Sequence, residues 1–274
     1  MNVQARFKSR NFLRINSCNF LSYFRKKNII DEFLKKSTNK DTILDYSQLR
    51  IGLLDFLNQE IPKGSFVATS CYTIFDMVNV IISSGNKPFF VDIDKSHLGP
   101  NIENLIEAVK NNKVKAVIFT HLHGYNVSLK ELRKICDQNS CLLIEDCAQS
   151  LWNPKWESSV NIPGSYGNVA LFSTGFFKSI NTISGGYLLF DTSKNSFKNI
   201  LNNHFYLDSG ISNDFLYRQI YGLLFYFLTN NFLFPLFLFP LLKIARKYKI
   251  EFINKRAREE NNPRYIFRNK KSIK

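Results

Sequence analysis

The sequence predicts an α/β fold: three layers, α/β/α, around a mostly parallel central sheet. Two observations predict it. Short apolar runs bounded by turn residues alternate with longer segments whose apolar positions have helical spacing, the pattern of βαβ units. The runs are apolar along their length rather than alternating, as strands covered on both faces are.

The elements follow in order. The first forty residues are basic and polar, with one amphipathic helix near IIDEFLKK. In YSQLRIGLLDFLNQEI, Leu49, Leu53 and Phe56 fall at helical spacing, with Ile51 and Leu54 alongside, and Pro62 to Gly64 end the helix. SFVATS (65–70) is a strand, FDMVNVIISSG a helix closing at Gly85, and KPFFVDID (87–94) a second strand. NIENLIEAVKNN is a helix capped by Asn101. KAVIFTH (115–121) is a third strand. SLKELRKICDQN is a helix opened by Ser128, with Glu131 completing a capping box. CLLIED (141–146) is a fourth strand. VALFSTG (169–175) and GYLLFD (186–191) have no long helix between them, so these last strands pair antiparallel. Three parts are expected: a basic N-terminal segment (1–44), a large domain (45–200), and an apolar helical segment with a basic tail (201–274).

The formal charge of +15 suits an anionic partner. Most of the excess lies at the two ends and the middle is nearer balance, so the charge belongs to the tails and no nucleic-acid partner is expected. The five cysteines show no CxxC spacing, and neither a metal site nor a disulfide framework follows from them. Reduced thiols in a cytoplasmic protein fit better. No secretory signal is read at the N-terminus. Gln219 to Leu242 carries no charge and is long enough to span a bilayer, for which about 20 apolar residues suffice. Asn230, Asn231, Pro235 and Pro240 favour two short apolar helices with a break. These pack on the protein or a subunit partner, or touch the inner membrane peripherally.

Ligands of open α/β sheets gather at the carboxyl ends of the strands. There lie Ser70 to Thr73, Asp92, His121 to Gly124, Asp146, and Ser173 to Lys178. Taken singly, Asp146 caps a helix and Lys178 sits on a solvated turn. Taken together, they fit pyridoxal phosphate chemistry. That chemistry needs a lysine for the aldehyde, a carboxylate on the pyridine nitrogen, and hydroxyls or helix N–H groups for the phosphate. Phe172, Phe176 and Phe177 supply apolar surroundings that would lower the lysine pKa.

Four blocks, VATSCYTIFDMVNVIISSGNKPFFVDID (67–94), FTHLHGYN (119–126), IEDCAQS (144–150) and GSYGNVALFSTGFFKSINTISGG (164–186), carry a resemblance. In order, from about Asp45 to Asp191, the sequence resembles the DegT/DnrJ/StrS family of sugar aminotransferases, pyridoxal phosphate enzymes of fold type I. The resemblance implies an aspartate aminotransferase-like large domain and a homodimer with shared sites. It implies transfer of an amino group from glutamate or glutamine to a nucleotide-linked keto sugar, for polysaccharide or amino-sugar biosynthesis. It makes Lys178 the Schiff-base lysine and proton carrier, and Asp146 the partner of the pyridine nitrogen. Gln149 lies against the ring, Ser173 and Ser47 contact the phosphate, and Tyr72 gives an aromatic face. The sequence departs from the pattern in places. Asp45-Tyr46 stands where a glycine usually precedes the helix-start hydroxyl, and Ser179 follows the lysine. LWNPKWESSVNIP brings bulky Trp152 and Trp156. The family's smaller C-terminal domain has no recognisable counterpart, so a truncated, non-catalytic paralogue is the alternative expectation.

Overall fold

A computed structural model describes residues 30–46, 48–111, 113–150, 162–175, 178, 185–192, 197–203, 220 and 234–247. The chain divides into two units, one of residues 24–180 and 184–207, the other of 1–23, 181–183 and 208–274.

The first unit is built on a seven-stranded sheet. Helix α1 spans 30–38. It is followed by β1 (Thr42–Tyr46), α2 (Leu49–Glu60), β2 (Phe66–Ser70), α3 (Phe75–Ser83), β3 (Lys87–Val91), α4 (Ile102–Lys110), β4 (Ala116–Thr120), α5 (Lys130–Gln138), β5 (Leu142–Asp146), β6 (Val169–Ser173), β7 (Gly186–Phe190) and α6 (Lys198–Asn203). The strand order is β1-β7-β6-β5-β4-β2-β3. Strands β2, β3, β4, β5 and β6 pair parallel, and β7 is antiparallel to both β6 and β1. The carboxyl ends of β1 to β6 therefore share one edge of the sheet, where β7 begins.

Alternation along each strand sorts side chains between two faces. On one face α4 and α5 cover Ala68, Val117, Phe119 and Leu143. On the same face Leu34 of α1 packs with Cys147, Ala170, Phe172 and Leu189. On the other face α2 lies against β1, β6 and β7. There Phe197, just before α6, meets Phe56 and Phe190 edge-on, at 5.2 and 5.4 Å between centroids. Such contacts add to the burial energy of the rings.

Local details differ from the sequence reading in three places. Residues 42–46 form a strand, and this strand contains the expected 44/45 boundary. Helix α5 begins at Lys130 with Leu129 as its cap and no side-chain cap bond, so Ser128 does not open it. Strand β3 ends at Val91, and Ile93 makes only an isolated bridge to Pro100. Asn101 does cap α4, its side chain accepting from the Asn104 amide at 2.9 Å.

In the second unit, a π-helical turn, Phe234–Leu238, runs into α7, Phe239–Lys247. Pro240 falls in the first turn of α7, where its missing N–H is least costly. The expected break at Asn230 and Asn231 lies outside the described residues. Among the described residues no helix is long and apolar enough to cross a membrane.

Candidate active site

The carboxyl edge gathers the polar groups. Thr120 ends β4, Asp146 ends β5 and Ser173 ends β6, and Thr120 is the register partner of Asp146. Asp146 is buried, at 4 % exposure. Its Oδ1 accepts from the Ala148 amide at 3.0 Å and its Oδ2 from the Thr120 hydroxyl at 3.3 Å. Burial raises its carboxyl above the usual range; the Ala148 amide, the Lys178 ammonium, the Thr120 hydroxyl and the His121 charge pull the other way without outweighing it. Lys178 is half-buried, on a turn in which its amide donates to the Gly175 carbonyl at 3.3 Å. Burial lowers its ammonium pKa, and the Asp146 charge opposes that. Each group thus feels the other in one low-dielectric place.

Ser173 closes β6 opposite Gly186. Its hydroxyl donates to the Gly185 carbonyl at 3.5 Å and accepts from the Gly175 amide at 3.4 Å. The start of α2 comes to the same point. Gln48 bridges Gly185, and a Cβ on Gly186 would stand 2.5 Å from the Gln48 carbonyl carbon. Only glycine permits that approach. Ser47 lies outside the described residues, while its neighbours Tyr46 and Gln48 flank this point. Tyr46 occupies the position expected of a glycine. Its ring packs over Gly52, whose Cβ would meet it at 2.8 Å, and its hydroxyl donates to Asp55 at 2.8 Å. Asp45 points to the opposite face, in register with Tyr187, as alternation requires.

Gln149 is exposed, and its side-chain oxygen accepts from the His123 amide at 2.9 Å. Tyr72, in the β2–α3 connection, is 56 % exposed, and its amide donates to the Ser70 hydroxyl at 3.0 Å. Arg50 and Asp76 pair the first turns of α2 and α3. The structure thus brings Asp146, Lys178, Thr120, Ser173 and the α2 start to one edge, with Gln149 and Tyr72 on loops of that same edge.

Glu145 has a different environment. Its Oε2 accepts from His121 Nε2 and the Gly164 amide, both at 2.8 Å, and its Oε1 from the amides of Tyr166 and Gly167. Burial pushes its carboxyl up, but the His121 bond and charge and the glycine amides outweigh that and hold it below the usual range. Both His121 ring nitrogens face oxygens, Nδ1 meeting the Tyr125 carbonyl at 3.2 Å. Lys40 donates to the Gly167 carbonyl at 2.7 Å. His121, Glu145 and Cys147 place ligand atoms within 4.8 Å of one another. With four donors on the carboxylate and both ring nitrogens engaged, the described residues of this cluster form a hydrogen-bond network. The sequence reading missed this network and Thr120. The available signal was alternation: Thr120 and Asp146 share one face, His121 and Glu145 the other.

The donor set fits pyridoxal phosphate on an observation internal to β5. Asp146 holds two hydrogen bonds where its neighbour Glu145 holds four. A buried carboxylate so placed has lone pairs left for a cationic N–H.

The model of the DegT/DnrJ/EryC1/StrS aminotransferase family matches residues 49–207. The GDP-perosamine synthase of Vibrio cholerae is 31% identical over 129 residues, 47% of this chain and 34% of that protein. The GDP-perosamine synthase of Escherichia coli O157:H7 is 25% identical over 180 residues, 64% of this chain and 48% of that protein. The chain thus spans between a third and half of the length of these curated relatives. Among solved structures, E. coli GDP-4-keto-6-deoxy-D-mannose-3-dehydratase with bound hydrated PLP superposes with a TM-score of 0.54 at 22% identity. It covers 63% of this chain and 45% of that one. At that identity the likeness shows the fold.

Proposed function

Because the chain belongs to the DegT/DnrJ/EryC1/StrS aminotransferase family, we propose that it carries the pyridoxal phosphate site of an aminotransferase acting on a nucleotide-linked keto sugar. One observation carries this reading: Asp146, buried at the end of β5, and Lys178, half-buried beyond the end of β6, lie at the same carboxyl edge within electrostatic reach of each other. Bound pyridoxal phosphate supplies an electrophilic aldehyde and an electron-withdrawing ring. Lys178 is the amine for that aldehyde, and its lowered pKa leaves more of it neutral and nucleophilic. The same Nζ, freed from the aldehyde, would carry a proton from the substrate carbon to the cofactor carbon. Asp146 offers Oδ1 or Oδ2 to the pyridine N–H and keeps that proton in place. Ser173, Ser47 and the first amides of α2 hold the phosphate. Gln149 and Tyr72 flank the ring.

The names of the relatives support a nucleotide sugar as acceptor, with glutamate or glutamine as donor. Tyr72, Ile74 and Phe75, 51 to 62 % exposed at the rim, support a homodimer as the working form. The described cysteines, all free thiols, go with a cytoplasmic reaction. Purification with pyridoxal phosphate tests the reading. A visible absorbance band that Lys178→Ala abolishes, and that bleaches with glutamate or glutamine, is the expected result. Absence of a lysine-dependent band overturns it. A band that no amino donor bleaches assigns a cofactor-binding relative without transaminase activity.

A further inference from the structure

Residues 219–242 contain no charged side chain, and the stretch that follows, 243–274, holds twelve basic against three acidic residues. That stretch carries nine of the fifteen net positive charges. In this region Ile220 and residues 234–247 are described; Ile220 is exposed and Phe234 is buried. Beyond it Leu236, Phe237, Phe239, Leu241 and Ile244 are each 50 to 60 % exposed. Lys243 is exposed among them. Five large apolar side chains in water on fourteen residues need a cover. At nine residues, α7 is far short of the roughly 20 that cross a bilayer. The described helical stretch, Phe234–Lys247, has the length of a segment that lies in an interface.

Charge chooses between covers. A second copy placed on this face would bring two strongly basic stretches together, and like charges oppose that contact. An anionic lipid surface attracts the same stretch and accepts the same apolar side chains. We propose that residues 234–247 are an interfacial anchor for an acidic bilayer. Leu236, Phe237, Phe239, Leu241 and Ile244 enter the headgroup–acyl boundary, and Lys243 with the basic residues after it meets the headgroups. The anchor does not rest on the aminotransferase reading, because binding is read without cofactor or substrate.

Flotation of the full chain tests it, with vesicles of phosphatidylcholine alone and of phosphatidylcholine with phosphatidylglycerol in equal parts. The chain should float with the acidic vesicles and not with the neutral ones. Binding should weaken as salt shortens the screening length from about 10 Å at 0.1 M to about 3 Å at 1 M. The double variant F237S/L241S should lose at least about tenfold in affinity for acidic vesicles, since two large apolar groups no longer transfer. Its circular dichroism and melting should match the parent, showing that the fold is kept. No flotation with acidic vesicles overturns the proposal, as does equal binding by the double variant. Loss of a dimer in that variant with vesicle binding unchanged assigns the face to a second copy instead.

Discussion

Glu145 and Asp146 are adjacent in sequence and opposite in chemistry, because a strand sends successive side chains to opposite faces. Asp146 is satisfied by two donors, and Thr120 is the one that a side-chain change can remove. Thr120→Val keeps the shape and deletes the hydroxyl. Hydrogen bonds to charged groups contribute about 1.5–3 kcal/mol, so cofactor affinity should fall roughly tenfold or more. Spectroscopic titration with pyridoxal phosphate measures this, and Thr120→Ser should restore it. Unchanged affinity in the valine variant would remove Thr120 from the site. Glu145 is the structural member of the pair. Removing one partner of a buried pair costs about 3–5 kcal/mol, and Glu145→Gln should lower stability by that order in urea unfolding. The pH dependence has a definite sign. The folded Glu145 carboxyl lies below its unfolded value, so its contribution is present above the ordinary carboxylate range. It is lost as pH falls through the folded value. Wild type should therefore lose stability in acid more steeply than Glu145→Gln.

At the scale of elements, the junction of β6, β7 and α2 lies at the phosphate end of the proposed site. Gly186→Ala would drive a Cβ into the backbone at Gln48 and Leu49, which cannot yield as a flexible side-chain tip can. The strand and the helix must part, at roughly 1–3 kcal/mol, and cofactor retention on a desalting column should fall more than the melting temperature does. Equal retention would show that the α2 start is not part of the site. Strands β2 and β4 to β7 were legible because the sequence marks them as apolar runs. Strand β1 was not, since TILDY has polar residues at Thr42 and Asp45 and is an edge strand held by β7 alone. The Ser128 cap was misread because the pattern S-x-x-E straddles the helix start: Ser128 lies one residue too early, Leu129 takes the cap position, and Glu131 is already in the first turn. Asp146, Lys178 and Ser173 could be picked out from residue type at strand ends. The hydroxyl of Thr120 was passed over, because a threonine in AVIFT reads as an ordinary strand residue until its strand is set in register beside Asp146.

At the scale of the molecule, one aromatic junction ties distant parts of the chain. Phe56, Phe190 and Phe197 meet edge-on from α2, β7 and the approach to α6. Phe197→Ala should cost about 3–5 kcal/mol, as large-to-small aromatic changes in cores do. Chemical unfolding would measure it; a loss well under 1 kcal/mol would mean that the α6 approach does not belong to the cooperative core. The antiparallel return of β7 has a further consequence during synthesis. Among the described residues strand β1 pairs with β7 alone, and Tyr46 waits for Gly186, made 140 residues later. A nascent chain paused before that glycine already holds the parallel strands but has no partner for β1 and no seat for the α2 start. With the site proposed above, cofactor capture should follow release of β7 from the ribosome.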